Sequence, residues 1–204
     1  MIESIVNGFF ATNTYIISNN CGEAIIVDPG MGIKSYVEEI NSKYKVKAIL
    51  ITHGHIDHIA GIKYFKVPVY INRLEEPFLY DETLNLSKMM APMLGGKCVY
   101  KKDDLNLVLL DDNEEFDLIG YHFKMLETPG HTSHSACYLY GGKLLSGDTL
   151  FKNSVGRSDF PTGSEVALRK SVKRLLELPS DTKVYPGHEA TTTIRDERKN
   201  NPYR

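Results

Sequence analysis

The chain reads as a mixed α/β protein, and three observations point there. Short apolar runs of strand length alternate with segments whose apolar residues recur at helical spacing. Several runs end in turn-forming residues, among them Asp28-Pro29-Gly30 and Pro186-Gly187. Five of the seven histidines lie in Gly-containing loops that follow or adjoin such runs. Loops at strand ends are where α/β folds place chemistry.

In chain order, Phe9-Phe10 and residues 15–17 and 24–27 are apolar, β-rich segments. Ile33, Val37 and Ile40 then recur at helical spacing, and residues 47–51 predict a buried strand. A helix is expected to start near Asp57, with a short strand over 67–71. From 73 to 102 the pattern loosens. Met89, Met90, Met93 and Leu94 lie near Pro92 and Gly95-Gly96, which predicts a flexible, partly helical excursion. Its methionines either fill irregular gaps or cap a substrate pocket.

The second half repeats the first half's logic, with strands expected near 105–110, 116–118, 121–126, 136–140 and 143–145. A helix follows over 165–178, its apolar face formed by Val166, Leu168, Val172, Leu175 and Leu176. Residues 183–185 form a last short strand before Pro186-Gly187-His188. No sequence repeat or low-complexity tract is present, and 204 residues suit one domain spanning 1–204.

Hydrophobic residues make up 42% of the chain and charged residues 25%, ordinary values for a soluble globular protein. Lys plus Arg (24) nearly balance Asp plus Glu (26), and no run of five like charges occurs. Nucleic acid and anionic membranes are therefore disfavoured as partners. Residues 1–18 lack the basic region of a signal peptide, and no apolar run approaches a membrane span. Cys21, Cys98 and Cys137 are odd in number, widely spaced and without a C-x-x-C pair. That argues against a disulfide framework or a zinc ribbon, and Cys137 reads as a buried inert thiol. A reducing, cytoplasmic setting is expected.

Thr52-His53-Gly54-His55-Ile56-Asp57-His58 concentrates three imidazoles and a carboxylate just after a predicted buried strand. In extended backbone, residues two apart point to the same side, so His53 and His55 can converge on one ion. Asp57 and His58 start the next helix, point elsewhere and can serve a second. Pro129-Gly130-His131, Ser146-Gly147-Asp148-Thr149 and Pro186-Gly187-His188 add three more candidates at strand ends. Any one of these histidines alone would more often be solvated or hydrogen-bonded than a ligand; their concentration is what points to metal. The imidazole and carboxylate set suits zinc, and also iron or manganese.

The H-x-H-x-D-H motif, followed in order by His131, Asp148 and His188, resembles the metallo-β-lactamase superfamily over essentially the whole chain. The resemblance implies a four-layer αββα sandwich with its site at the rim where two sheets meet. It implies that His53, His55 and His131 bind one divalent ion and that Asp57, His58 and His188 bind another. Asp148 would bridge both. Some true β-lactamases of the superfamily carry cysteine at the position of Asp148, so this chain lacks their soft ligand. His134 either lines the site entrance or is hydrogen-bonded locally, and His122 receives no role.

Two cations about 3.5–4 Å apart can hold a bridging hydroxide, lower the pKa of water from about 15.7 towards 7 and stabilise a developing oxyanion. The expected activity is metal-dependent hydrolysis by that hydroxide, with Asp57 and Asp148 as catalytic ligands. A thiol of pKa about 8.5 can leave as thiolate without a dedicated acid, which favours a small-molecule thioester.

Gly147-Asp148-Thr149-Leu150-Phe151, Gly156-Arg157-Ser158-Asp159-Phe160, Tyr185-Pro186-Gly187-His188-Glu189 and Asn201-Pro202-Tyr203 are similar to the glyoxalase II-like branch. That branch is typified by hydroxyacylglutathione hydrolases, which cleave S-D-lactoylglutathione. Its longer members have a C-terminal helical region with glutathione contacts, which is not found in these 204 residues. Arg157 matches a basic substrate-contact position, and pairing with Asp159 is the equal alternative. Phe151 and Tyr185 line the pocket or belong to the core. Two rivals stand beside this reading: a persulfide dioxygenase of the same superfamily with one iron, and a non-catalytic metal-binding domain.

Overall fold

Runs such as Ile16-Ile17, Ile25-Ile26 and Leu144-Leu145 put apolar side chains on both faces of a strand. Each sheet therefore needs cover on both sides. The computed structural model, which describes residues 1–94 and 98–204, meets that need with two six-stranded sheets between helices.

The first sheet runs in chain order through β1 (Ile2–Asn7), β2 (Thr12–Ser18), β3 (Glu23–Val27), β4 (Lys45–Leu50), β5 (Val69–Asn72) and β6 (Leu107–Leu110). Its first three strands are antiparallel, and β3 to β6 are parallel. The second sheet runs through β7 (Glu115–Leu118), β8 (Tyr121–Glu127), β9 (Ala136–Tyr140), β10 (Lys143–Gly147), β11 (Lys183–Pro186) and β12 (Thr192–Thr193). Only its β10–β11 pair is parallel.

Three apolar clusters define the layers. Ile17, Ile25 and Leu50 of the first sheet meet Phe123, Tyr138 and Leu145 of the second between the sheets. Behind the first sheet, Ile16, Ile26 and Ile49 pack with Ile40 of α1 (Val37–Lys43) and Ile59 of α2 (Ile56–Ile59). The excursion after β5 contains a 3-10 stretch, Arg73–Leu79, and α3 (Ser87–Leu94); Gly95-Gly96 lies outside the described residues. Behind the second sheet, Cys137, Leu144 and Val184 pack with Leu168 and Val172 of α4 (Glu165–Leu176) and Ile194 of α5 (Ile194–Asn200). Sequence neighbours thus divide between layers, and the expected αββα sandwich is the observed fold.

Three details differ from the sequence reading. Phe9 and Phe10 lie in the turn between β1 and β2, not in a strand, because the chain reverses there with positive φ at Gly8 and Ala11. Val166 is 68% exposed, since it lies two residues, about 200° of helix, from Leu168. Neither β12 nor α5 announces itself in sequence: the strand has two residues, and α5 buries only Ile194 and Glu197. Cys137 is buried as expected, and burial pushes its thiol up to about 11. Among the described residues, no helix is long and apolar enough to cross a membrane.

Candidate metal centre

Four strands end at one rim of the sandwich, and each delivers a loop there. β4 leads into the His53 to His58 loop, β8 into Pro129-Gly130-His131, β10 into Asp148 and β11 into His188. One of these strands belongs to the first sheet and three to the second, so the site spans both. The loops are stitched together by backbone bonds. Ala136 N–H donates to the Thr52 carbonyl at 2.7 Å, Gly187 N–H to that of Gly147 at 2.9 Å, and Asn13 N–H to that of Gly187 at 2.7 Å. Glycine is needed at 187, because a Cβ there would collide with Asp148 Oδ1.

All seven candidate ligands come together. His53, His55 and His131 bring ligand atoms within 4.8 Å of one another, and so do Asp57, His58 and His188. In the first set His55 Nδ1 lies 2.9 Å from His131 Nε2. In the second, His188 Nε2 lies 3.3 Å from Asp57 Oδ2 and 3.4 Å from His58 Nε2. Asp148 sits between the sets. Its Oδ2 is 3.5 Å from His131 Nε2 and 3.4 Å from His188 Nε2, and its Oδ1 is 3.5 Å from His58 Nε2.

The outward nitrogen of four of these rings is already committed. His58 Nδ1 donates to Asp28 Oδ2 at 3.0 Å, His131 Nδ1 to the Arg157 carbonyl at 2.7 Å, and His188 Nδ1 to the Phe10 carbonyl at 3.0 Å. Thr52 Oγ1 gives its proton to Asp28 Oδ2 at 2.6 Å and so accepts from His53 Nδ1 at 3.2 Å. Each ring therefore turns Nε2 to the centre, the arrangement that outer partners impose on metal-ligating histidines. Among the described residues, His53 Nε2 and Asp148 Oδ1 are buried there with no partner, as is His55 Nε2 on the other edge of its ring from Nδ1. Buried polar atoms are nearly always satisfied, so orphaned donors at this point fit a cation.

The charges divide along the same line. Burial and the neighbouring rings hold His53 well below the usual imidazole range and bring His55 down to about 3; burial also lowers His131. Burial opposes charge on His58 too, but Asp57 and Asp148 outweigh it and carry the ring up to about 9. At His188 burial is likewise outweighed, by Asp148 and Asp57, and the ring rises to about 11. Burial would raise both carboxylates, yet His58 and His188 hold Asp148 down at about 2 and Asp57 well below its usual range.

Two supporting residues escape the sequence reading. Asp28, legible only as part of a turn, holds φ at 48° and accepts from Thr52 N–H at 2.8 Å as well as from His58. An acidic residue closing a strand was the available signal, as at Asp148. Glu75 is wholly buried and accepts from Gly54 N–H at 2.9 Å and Thr132 Oγ1 at 3.1 Å, tying the His53 loop to the His131 loop. Burial raises its carboxyl to about 7. Nothing in Arg73-Leu74-Glu75-Glu76 distinguishes it from its neighbour. His134 bonds locally, with Nδ1 2.9 Å from Glu127 Oε1, and His122 lies exposed beside Asp117 and Glu115.

A cavity of about 400 Å³ opens beside the centre, and His55, Asp57, His131, Asp148 and His188 reach it. Arg157 lines it as well, while its Nε and Nη2 donate to the two oxygens of Asp159 at 2.6 and 2.7 Å. Phe151 also lines it; Tyr185 belongs to the core between the sheets.

Comparison with known proteins agrees with this geometry. The profile of the metallo-beta-lactamase superfamily matches residues 7–188. An uncharacterised protein of Aquifex aeolicus is 40% identical over 100% of this chain and 96% of its own length. Hydroxyacylglutathione hydrolase GloC of Haemophilus influenzae is 29% identical over 99% of this chain and 97% of its own. Among solved structures, BLEG-1 B3 metallo-beta-lactamase superposes with a TM-score of 0.90 at 33% identity, covering 100% of this chain and 99% of that one. The di-iron-bound form of TTHA1623 reaches 0.79 at 29% identity, covering 99% and 100%. ETHE1 from Myxococcus xanthus reaches 0.77 at 25% identity, covering 99% and 83%.

Proposed function

The chain belongs to the metallo-beta-lactamase superfamily, and from that premise we propose that it is a two-metal hydrolase acting on thioesters. The observation that carries this reading is the position of Asp148 between two ligand sets, with its Oδ1 and His53 Nε2 buried and, among the described residues, unpartnered. Divalent ions bound there would lower the pKa of water to about 7 and stabilise an oxyanion. His53, His55 and His131 would hold one ion, Asp57, His58 and His188 the other, and Asp148 would span both. The Thr12 hydroxyl donates to Asp57 Oδ2 at 3.1 Å and steadies that carboxylate at the cavity wall.

The cavity also argues about the leaving group. Among the described residues, every carboxylate and imidazole that lines it belongs to the ligand sets, which leaves no separate acid there to protonate an amine or alkoxide. A thiolate, with a conjugate acid of pKa about 8.5, departs without one. The likeness to hydroxyacylglutathione hydrolase GloC supports the same choice. The second reading, a dioxygenase with one iron held chiefly by His53, His131 and Asp148, draws some support from the likeness to ETHE1.

Metal-analysed protein assayed against lactoylglutathione, other acyl thiols, lactones and β-lactams tests the proposal. Close to two transition-metal ions per chain and thioester turnover well above that of nitrocefin are expected. A β-lactam preferred by kcat/KM would overturn the thioester assignment. Oxygen uptake with glutathione persulfide at one iron per chain would favour the dioxygenase.

A further inference from the structure

Among the described residues, six apolar side chains line the cavity: Phe10, Ile56, Leu86, Met90, Phe151 and Phe160. They come from the β1–β2 turn, the start of α2, the α3 region and the segment between β10 and α4. The volume, about 400 Å³, lies within the range of small-molecule sites. Apart from the candidate metal ligands, Arg157 is the one charged side chain on the wall among the described residues.

Its guanidinium is already paired. Both donors of one edge are engaged by Asp159, at 2.6 and 2.7 Å, and its Cζ stands 4.1 Å from the centre of the Phe160 ring. A forked pair occupies one edge of the guanidinium, and the Arg–Asp pair presents no net charge to the cavity. A carboxylate lodged among the apolar side chains, away from the candidate metal ligands, would lose its water without gaining a partner, which is costly. An apolar chain would gain from the same wall.

The lining also continues outward. Phe10 packs edge to face on Phe9 at 5.3 Å, and Phe9 is 76% exposed. Exposed apolar surface continuous with a cavity marks a place where apolar ligand surface binds.

We infer that the substrate part entering this cavity is an uncharged acyl chain of several carbons on an uncharged thiol, and that Asp159 enforces the choice by occupying Arg157. The inference rests on the thioester reading above and names the class of thioester.

The test is a series of straight-chain acyl esters of N-acetylcysteamine, acetyl to octanoyl, against the same acyl groups on glutathione, using metal-loaded protein. kcat/KM should rise about fourfold per added methylene until the cavity is full, the rate equivalent of burying one CH₂. The neutral carrier should be preferred by about tenfold or more, roughly the discrimination one unpaired charge provides. Asp159→Asn, which frees the guanidinium, should move the ratio towards glutathione by about tenfold. Calorimetric binding of the matching S-alkyl thioethers should tighten with chain length, with a negative heat-capacity change.

A flat chain-length series, or a preference for glutathione esters in the wild type, would overturn the inference. Thioethers that bind with the expected length dependence while no thioester is cleaved would sink the hydrolase reading and leave the apolar site standing. Thioester cleavage indifferent to chain length would do the reverse.

Discussion

The two halves of the centre are equipped to hold a cation by opposite means. His53, His55 and His131 are 0%, 2% and 3% exposed, contain no carboxylate of their own and are held neutral by burial. Their loops are braced by Glu75, which accepts from Gly54 N–H and Thr132 Oγ1. Asp57, His58 and His188 bring charge instead, with Asp28 behind His58, and both Asp57 and His188 are partly exposed. The first half is a dry nest of neutral nitrogens, selective by geometry. The second is an electrostatic site where protons compete with metal, because bound metal needs deprotonated ligands. Asp148 belongs to both.

The comparison can be broken most severely at the shared residue. Asp148→Ala should deplete both ions and lower kcat by roughly 10³-fold, about 4 kcal/mol of lost charge stabilisation at 1.36 kcal/mol per decade. Elemental analysis alongside steady-state rates checks it; two ions retained would remove Asp148 from its spanning role.

Asp57→Ala attacks one half alone. Metal content should fall from two towards one, and thioester turnover by about 10²-fold. If the variant instead keeps one iron and persulfide-dependent oxygen uptake, the dioxygenase reading gains and the two-metal one fails.

A subtler separation is available behind the ligands. Asp28→Asn removes the carboxylate that orients His58, so affinity for the second ion should weaken by about tenfold, the lower end for such partners. Competition with a chelator would read it, with a smaller loss at the first ion, which Asp28 reaches only through the Thr52 hydroxyl that orients His53. Equal loss of both ions would mean that the halves are not independent.

The smallest effect on turnover is expected at Glu75, whose influence is on stability. Its folded pKa, about 7, is raised above the ordinary 4.5 by burial. Its contribution is therefore complete below about 4.5 and lost as pH rises through about 7, on the order of 3 kcal/mol. Denaturant unfolding of metal-free protein at pH 5 and pH 8 should show this loss, and Glu75→Gln should lack it. The same slope in both proteins would assign the pH dependence to other groups.

The α/β class and the candidate ligands were legible in the residues for local reasons, while which layers pack together came only through the family resemblance. Pairs such as Ile25-Ile26 must point to opposite sides of a strand, so two-sided cover follows from the alternation alone. His53, His55, Asp57 and His58 crowd into six consecutive residues after a strand, where few residue types serve any purpose but ligation. Tertiary structure decided what holds and surrounds them. Asp28 reaches His58, Glu75 joins Gly54 to Thr132, and the Arg157 carbonyl orients His131. Phe10 and Phe160, 150 positions apart, share one apolar wall. These contacts link distant stretches by hydrogen bonds and packing, which no spacing in the chain encodes. A fully buried Glu75 and a half-buried Glu76 look alike until the chain is folded around them.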